Sequence, residues 1–132
     1  MNKKVFISFN DENIKTANGM ADYFGTSMCW LPQNDLKQID DNLLSEEEQK
    51  LEAIKNAEFL VLILSKYSVF TKTNLDEVKY AFENGTKVVT FRIEDVKPSK
   101  EMEPFLNKEM WFDAFKGHMY EHMSRLEGII SS

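Results

Sequence analysis

The sequence predicts an α/β protein built on a parallel sheet, and two stretches carry most of that expectation. Residues 59–64 (FLVLIL) and 88–91 (VVTF) are short runs dominated by β-branched, leucine and aromatic residues. With little polar alternation, each reads as a strand buried on both faces. Between them come a short loop from Ser65 and a helix-patterned segment that Gly85 closes. Two strands joined by a helix form a βαβ unit, whose crossover is right-handed. Open parallel sheets bind ligands beyond the carboxyl ends of their strands. Residues 65–77 therefore belong at that rim, with Glu77 expected in the first turn of the helix.

The remaining elements follow in order. Val5-Phe6-Ile7-Ser8-Phe9 is a first strand, and Asn10-Asp11 supplies N-cap chemistry for the helix after it. Ile14, Ala17, Ala21 and Phe24 recur at helical spacing; Gly19 weakens that helix and Gly25 ends it. Residues 27–31 read as a short strand stopped by Pro32. Residues 33–44 are polar, acidic and weakly periodic, so a long exposed loop is expected. Ser45 before Glu46, Glu47 and Glu48 matches a capping box, its acids at the positive end of the next helix. Beyond the third strand, Leu75, Val78 and Phe82 define the expected buried stripe, which leaves Glu77 on its flank beside Ala81. Residues 94–106 contain Pro98 and Pro104 and leave room for one helical turn. Met110-Trp111-Phe112 is a last strand, and Phe115, Met119, Met123, Leu126 and Ile130 form the stripe of a closing helix. The order βαβαβαβαβα predicts a flavodoxin-like, doubly wound sheet of five parallel strands with helices on both faces, in a single domain over residues 1–132.

Composition narrows the function. A net charge of −6 argues against broad nucleic-acid or anionic-membrane binding, since either needs a positive field. The single cysteine, Cys29, has no second thiol for a disulfide or a metal site, and a reducing, cytoplasmic setting is expected. No apolar run approaches transmembrane length, and the opening one is too short for a signal peptide.

Motifs exclude four common uses of such a sheet. A phosphoacceptor domain wants an aspartate after the third strand, where this chain has Ser65. A flavodoxin wants a phosphate loop rich in Ser, Thr and Gly after strand one, where this chain has Phe9-Asn10-Asp11-Glu12-Asn13. Neither GxGxxG nor GxxxxGK[ST] occurs. His118-Met119-Tyr120-Glu121-His122 matches HxxEH formally, but only ten residues follow it, too few for the distant acid that zinc chemistry of that kind needs. Surface and half-buried histidines are expected instead, and no metal. Cys29 reads as an inert buried thiol, and packing accounts for Trp30 and Trp111. From spacing alone Glu77 is an ordinary acid near a helix N-terminus.

Taken together, several segments resemble a Toll/interleukin-1 receptor (TIR) domain of the bacterial kind. Lys4-Val5-Phe6-Ile7-Ser8-Phe9 is similar to the family's first strand, often VFISY or VFISF. Cys29-Trp30-Leu31-Pro32 with Asp35-Leu36 resembles the CWxP segment that opens the family's long BB loop. Ala53-Ile54-Lys55-Asn56-Ala57, followed by residues 59–65, resembles its next helix end and VLILS strand. Glu77, Ala81, Gly85, Lys87 and Val88-Val89 fit an E-x3-A-x3-G-K-x-V-V pattern, with Thr86 inserted before the lysine. Trp111-Phe112-Asp113-Ala114 is similar to the WxDA of the last strand.

Some members of this family cleave the nicotinamide–ribose bond of NAD+, and others only assemble with further TIR domains. The resemblance implies the first activity here, with NAD+ as substrate, no further cofactor, and Glu77 as the catalytic glutamate. Products are ADP-ribose or a cyclic ADP-ribose isomer, in anti-phage defence or immune signalling. It also implies substrate-binding roles for Phe9, Asn10, Trp30, Pro32, Ser65 and Arg92, with Arg92 facing the pyrophosphate. Self-association through residues 33–44 and a downstream effector that senses the product are implied partners. The alternatives are a non-catalytic interaction module, and a nucleoside 2-deoxyribosyltransferase, which shares the sheet and a rim glutamate. Two positions depart from the family: Thr73 stands where enzymatic members often carry Trp, and the loop lacks the usual glycine after Asp35-Leu36.

Overall fold

The computed structural model of the chain describes residues 3–37 and 44–131. Five strands, β1 (Val5–Ser8), β2 (Cys29–Trp30), β3 (Phe59–Leu64), β4 (Lys87–Arg92) and β5 (Trp111–Asp113), form one sheet in the order β2-β1-β3-β4-β5. Every pairing is parallel. Among the described residues the α-helices are α1 (Ile14–Phe24), α2 (Pro32–Asp35), α3 (Glu46–Asn56), α4 (Lys72–Glu83) and α5 (Met119–Ile130). The doubly wound, flavodoxin-like sheet expected from the sequence is therefore the one observed.

Strand parity divides the core in two. Side chains alternate across a sheet, so Val5 and Ile7 join Val61, Ile63, Val89 and Phe91 under α1 and α5. Phe6 joins Leu60, Leu62, Leu64 and Val88 under α3 and α4. All six residues of β3 are buried, which explains why no polar residue interrupts that run. The order of strand addition reverses at β1: β2 lies on one side of it and β3 on the other. The crevice beyond the ends of β1 and β3 is thus the topological switch point, where such sheets take their ligands.

Helix ends follow the expected chemistry. At α3 the Ser45 hydroxyl accepts from the Glu48 amide and the Glu48 carboxylate accepts from the Ser45 amide, a complete capping box. At α4 the Thr86 amide donates to the Ala81 carbonyl and the Gly85 amide to Phe82, a Schellman ending with Gly85 at φ 77°. Thr86, the inserted residue, is buried and donates its hydroxyl to the Ile54 carbonyl at 2.7 Å, which satisfies the end of α3.

The structure corrects several expectations. Helix α4 begins at Lys72, so Glu77 is its sixth residue rather than part of the first turn. Its buried stripe is Asn74, Glu77, Val78 and Ala81, whereas Phe82 is 56% exposed and lies edge-on to Phe105. Between β4 and β5 the one helical turn expected within residues 94–106 is present as a 3-10 turn, Glu103–Phe105. Strand β2 is only two residues long, because residues 25–28 form a turn with the Met28 amide bonded to the Gly25 carbonyl. Pro32 starts the short α2 rather than a loop, its fixed φ and missing N–H suiting a first helical position. Residues 38–43 of the expected loop lie outside the described residues. Ile14 and Met119 are partly exposed, and Met20 and His122 take buried places the stripes did not assign.

The rotated stripe of α4 has a measurable consequence. Ala81 is fully buried, so Ala81→Leu is expected to lower unfolding free energy by about 2 kcal/mol through overpacking. Phe82→Ala, on the exposed flank, costs less than half as much. Urea denaturation of the two variants checks the order.

Candidate functional site

The parity of β1 turns Ser8 to the same side as Phe6, toward α4. There its hydroxyl donates to Glu77 Oε1 at 2.7 Å and accepts from Asn74 Nδ2 at 3.0 Å. Asn74 and Glu77 are three apart on one face of α4, so both reach the end of β1 together. Glu77 is only 7% exposed, and Asn74 and Ser8 are buried completely or nearly so. Lys50 of α3 stands 3.7 Å from Glu77 Oε2. Burial raises the Glu77 pKa above the usual carboxylate range; the Ser8 hydrogen bond and the Lys50 charge oppose that shift.

A cleft of about 480 Å³ opens beside this carboxylate, between α3 and the first half of α4. It is lined by Glu46, Glu47, Lys50, Leu51, Lys72, Thr73, Asp76 and Glu77. Its size falls in the range of small-ligand sites, about 300–1,000 Å³. Thr73 faces the cleft, at the position where the resemblance led one to expect an aromatic ring.

The loops around the rim are tied to each other. Asn10 Oδ1 accepts from the Glu12 amide at 2.9 Å, and Asn10 Nδ2 donates to Thr71 Oγ1 at 2.9 Å, which links the end of β1 to the start of α4. Ser65 donates to Asn13 Oδ1 at 2.6 Å and accepts from the amides of Tyr67 and Ser68. Ser65 and Asn10 thus spend their polar groups on the scaffold around the switch point.

The other residues named from the sequence lie elsewhere. Phe9 packs with the α1 and α5 side of the core, across the sheet from Glu77. Trp30 stacks on Phe6, ring centroids 5.1 Å apart, and Pro32 opens α2. Arg92 is opposite Asp113 in the β4–β5 register, and their ion pair is 2.6 Å. It lines a separate cleft with Lys97, Pro98, Glu103, Leu106, Lys108 and Trp111. The geometry therefore brings Glu77 together with Ser8, Asn74 and Lys50, none of which the sequence reading singled out, and leaves Phe9 and Arg92 outside that group. A polar Ser8 inside an otherwise apolar strand was the available signal.

Two further reactive groups have structural surroundings. Burial pushes the Cys29 thiol up to about 12, where it is protonated and unreactive. His122 is buried, with Nε2 bonded to the Lys116 carbonyl and Nδ1 to the Arg125 guanidinium; His118 is exposed at the N-cap position of α5 and makes no side-chain capping bond.

The sheet order and the buried acid that Ser8 ties to the end of β1 define a doubly wound α/β domain. The sequence profile described as the TIR domain matches residues 5–127, and the chain belongs to that family. Among solved structures it is similar to the TIR domain of the Toll-related receptor TRR-2 from the lower metazoan Hydra magnipapillata. The two share 14% identity, with 99% of this chain and 100% of that one covered, at a TM-score of 0.74, a likeness of fold. No curated protein sequence matches the chain.

The raised pKa of Glu77 gives a stability prediction. A folded carboxyl with a raised pKa binds its proton more tightly than the unfolded chain does, so stability falls as pH rises from the unfolded value through the folded one. Glu77→Gln removes that charge and keeps an acceptor for Ser8. Its melting temperature is expected to exceed the parent's at neutral pH, with the difference closing in acid. Thermal denaturation across pH measures it.

Proposed function

We propose that this TIR domain cleaves the nicotinamide–ribose bond of NAD+, with Glu77 as the catalytic acid group. The observation that carries the reading is a desolvated carboxylate beside a ligand-sized cleft between α3 and α4, hydrogen-bonded on one oxygen by Ser8 at the end of β1. Departure of nicotinamide leaves positive charge on the ribosyl carbon and ring oxygen. A carboxylate fixed in a poorly solvated place gains most from a positive charge that develops in the transition state. The same group can accept from ribose hydroxyls, as carboxylates do in glycoside hydrolysis. Attack by water then gives ADP-ribose, and attack by a nucleophile within the substrate gives a cyclic isomer. Exclusion of water decides between them.

Lys50 and Lys72, paired with Glu77 and Asp76, are the cations that line this cleft, and the substrate's phosphates would compete for them. The role that goes with this chemistry is NAD+ depletion or production of a nucleotide signal in antiviral defence, in the cytoplasm, with an effector that senses the product. Self-association through residues 33–44 belongs to the same reading. A binding-only reading has one specific support: Phe70 is 87% exposed in the loop between β3 and α4, beside the partly exposed Tyr67. Aromatics displayed in this way suit a contact with another protein.

Concentrated protein incubated with NAD+, alone and with a crowding agent, separates the readings. Nicotinamide release is expected, falling by at least about 100-fold in a folded Glu77→Ala variant. Chromatography and mass spectrometry of the partner product tell hydrolase from cyclase. Absence of release at every concentration, with oligomers formed, contradicts the enzymatic reading and leaves the interaction module.

A further inference from the structure

We propose that Ser8 and Asn74 are positioning residues that fix the Glu77 carboxylate, with Oε1 held inward and Oε2 turned toward Lys50 at the cleft. The proposal rests on the NAD+-cleaving reading for its catalytic consequence, and on the hydrogen-bond geometry for its structural one.

The argument is one of donor direction. Ser8 has a single hydroxyl proton and receives a hydrogen bond from Asn74 Nδ2 at 3.0 Å. An amide nitrogen only donates, so Asn74 occupies a lone pair of Ser8 and leaves the proton for Glu77 Oε1 at 2.7 Å. The opposite amide orientation would turn Asn74 Oδ1 to Ser8, where it would compete with Glu77 for that one proton. With Nδ2 facing Ser8, Asn74 Oδ1 is buried and has no hydrogen-bond partner among the described residues. An apolar residue of similar size would avoid that penalty. What Asn74 adds at this position is the donor that commits Ser8 to Glu77. The chain of bonds joins β1 to α4 across more than sixty residues of sequence, through atoms that lie almost wholly out of solvent.

Burial makes the arrangement consequential. Glu77 lacks bulk water to hold its charge, so Ser8 on Oε1 and Lys50 beside Oε2 stabilise the ionised form against the rise caused by desolvation. Around the same cleft stand Glu46 and Glu47 from α3 and Lys72 and Asp76 from α4; Asp76 pushes Glu77 upward, and Asp76 is itself paired with Lys72. Without Ser8 the carboxylate is free to turn about its last torsion and holds its proton to higher pH.

The test uses Ser8→Ala, Asn74→Ala and the double variant, each checked for folding by circular dichroism. Carbon-13 NMR of labelled glutamate side chains follows the Glu77 titration, with Glu77→Gln identifying its signal. Ser8→Ala is expected to move that titration to higher pH. Asn74→Ala should move it the same way by less, and the double variant no further than Ser8→Ala alone, because Asn74 acts only through Ser8. In NAD+ turnover, kcat is expected to fall about 10- to 100-fold in Ser8→Ala, with KM within about twofold and the acid limb of the pH profile moved upward. An unchanged Glu77 titration in folded Ser8→Ala overturns the proposal, as does full additivity in the double variant. If Ser8→Ala does not fold, Asn74→Ala against the parent decides by the same titration. A parent protein that releases no nicotinamide refutes the enzymatic reading, while the titrations still judge the positioning.

Discussion

A carboxylate can sit inside a protein only where hydrogen bonds or an opposite charge meet it. Here that meeting depends on the parity of one short strand. Four residues of β1 lie in the middle of an all-parallel sheet, and alternation sends Phe6 and Ser8 to the α3 and α4 side. Shifting that register by one residue would point Ile7 at Glu77 and Ser8 into the opposite core. The pairing of Val5 with both Cys29 and Phe59 prevents the shift, because it locks β1 between two neighbours. The site is thus a consequence of how the sheet is assembled.

The rim is braced by the same economy of polar groups. Asn10 holds Thr71, and Ser65 holds Asn13, so the loops after β1 and β3 and the start of α4 form one hydrogen-bonded frame. Such a frame keeps the Glu77 end of α4 fixed while leaving the α3 side open as a cleft. Arg92 serves a different part of the molecule. Register places it opposite Asp113, whose carboxyl it holds below the usual range, and its guanidinium lies over the rings of Trp111 and Phe115. The edge strand β5 is stitched down by that contact.

Much of the fold was legible because it depends on local pattern. The uninterrupted apolar run at 59–64 announces a central strand, and the Ser45–Glu48 box announces the start of α3. What was hidden depends on pairs far apart in sequence. Nothing in the helical wheel of α4 says that β1 will bring Ser8 against it, so Glu77 reads as a flank residue until the sheet is built. Reading the start of α4 too late compounded this, since the 3-10 turn at Ser68–Phe70 and the Thr71 cap contain no strong apolar period. Thr86 was visible only as an insertion, and its bond to the end of α3 explains why an extra residue is tolerated there. The family resemblance, carried by motifs along the whole chain, pointed to Glu77 when spacing alone did not.

The central claim is that substrate is taken at the α3–α4 cleft beside Glu77. Titrating NAD+ into nitrogen-15-labelled Glu77→Gln protein and mapping the amide shifts tests it directly, since the substrate is not consumed. The account predicts saturable shifts concentrated at Lys50, Leu51, Thr73 and the residues around Ser8. Shifts confined to Arg92, Lys97 and Trp111, with the α3–α4 cleft silent, would place the ligand elsewhere and contradict it.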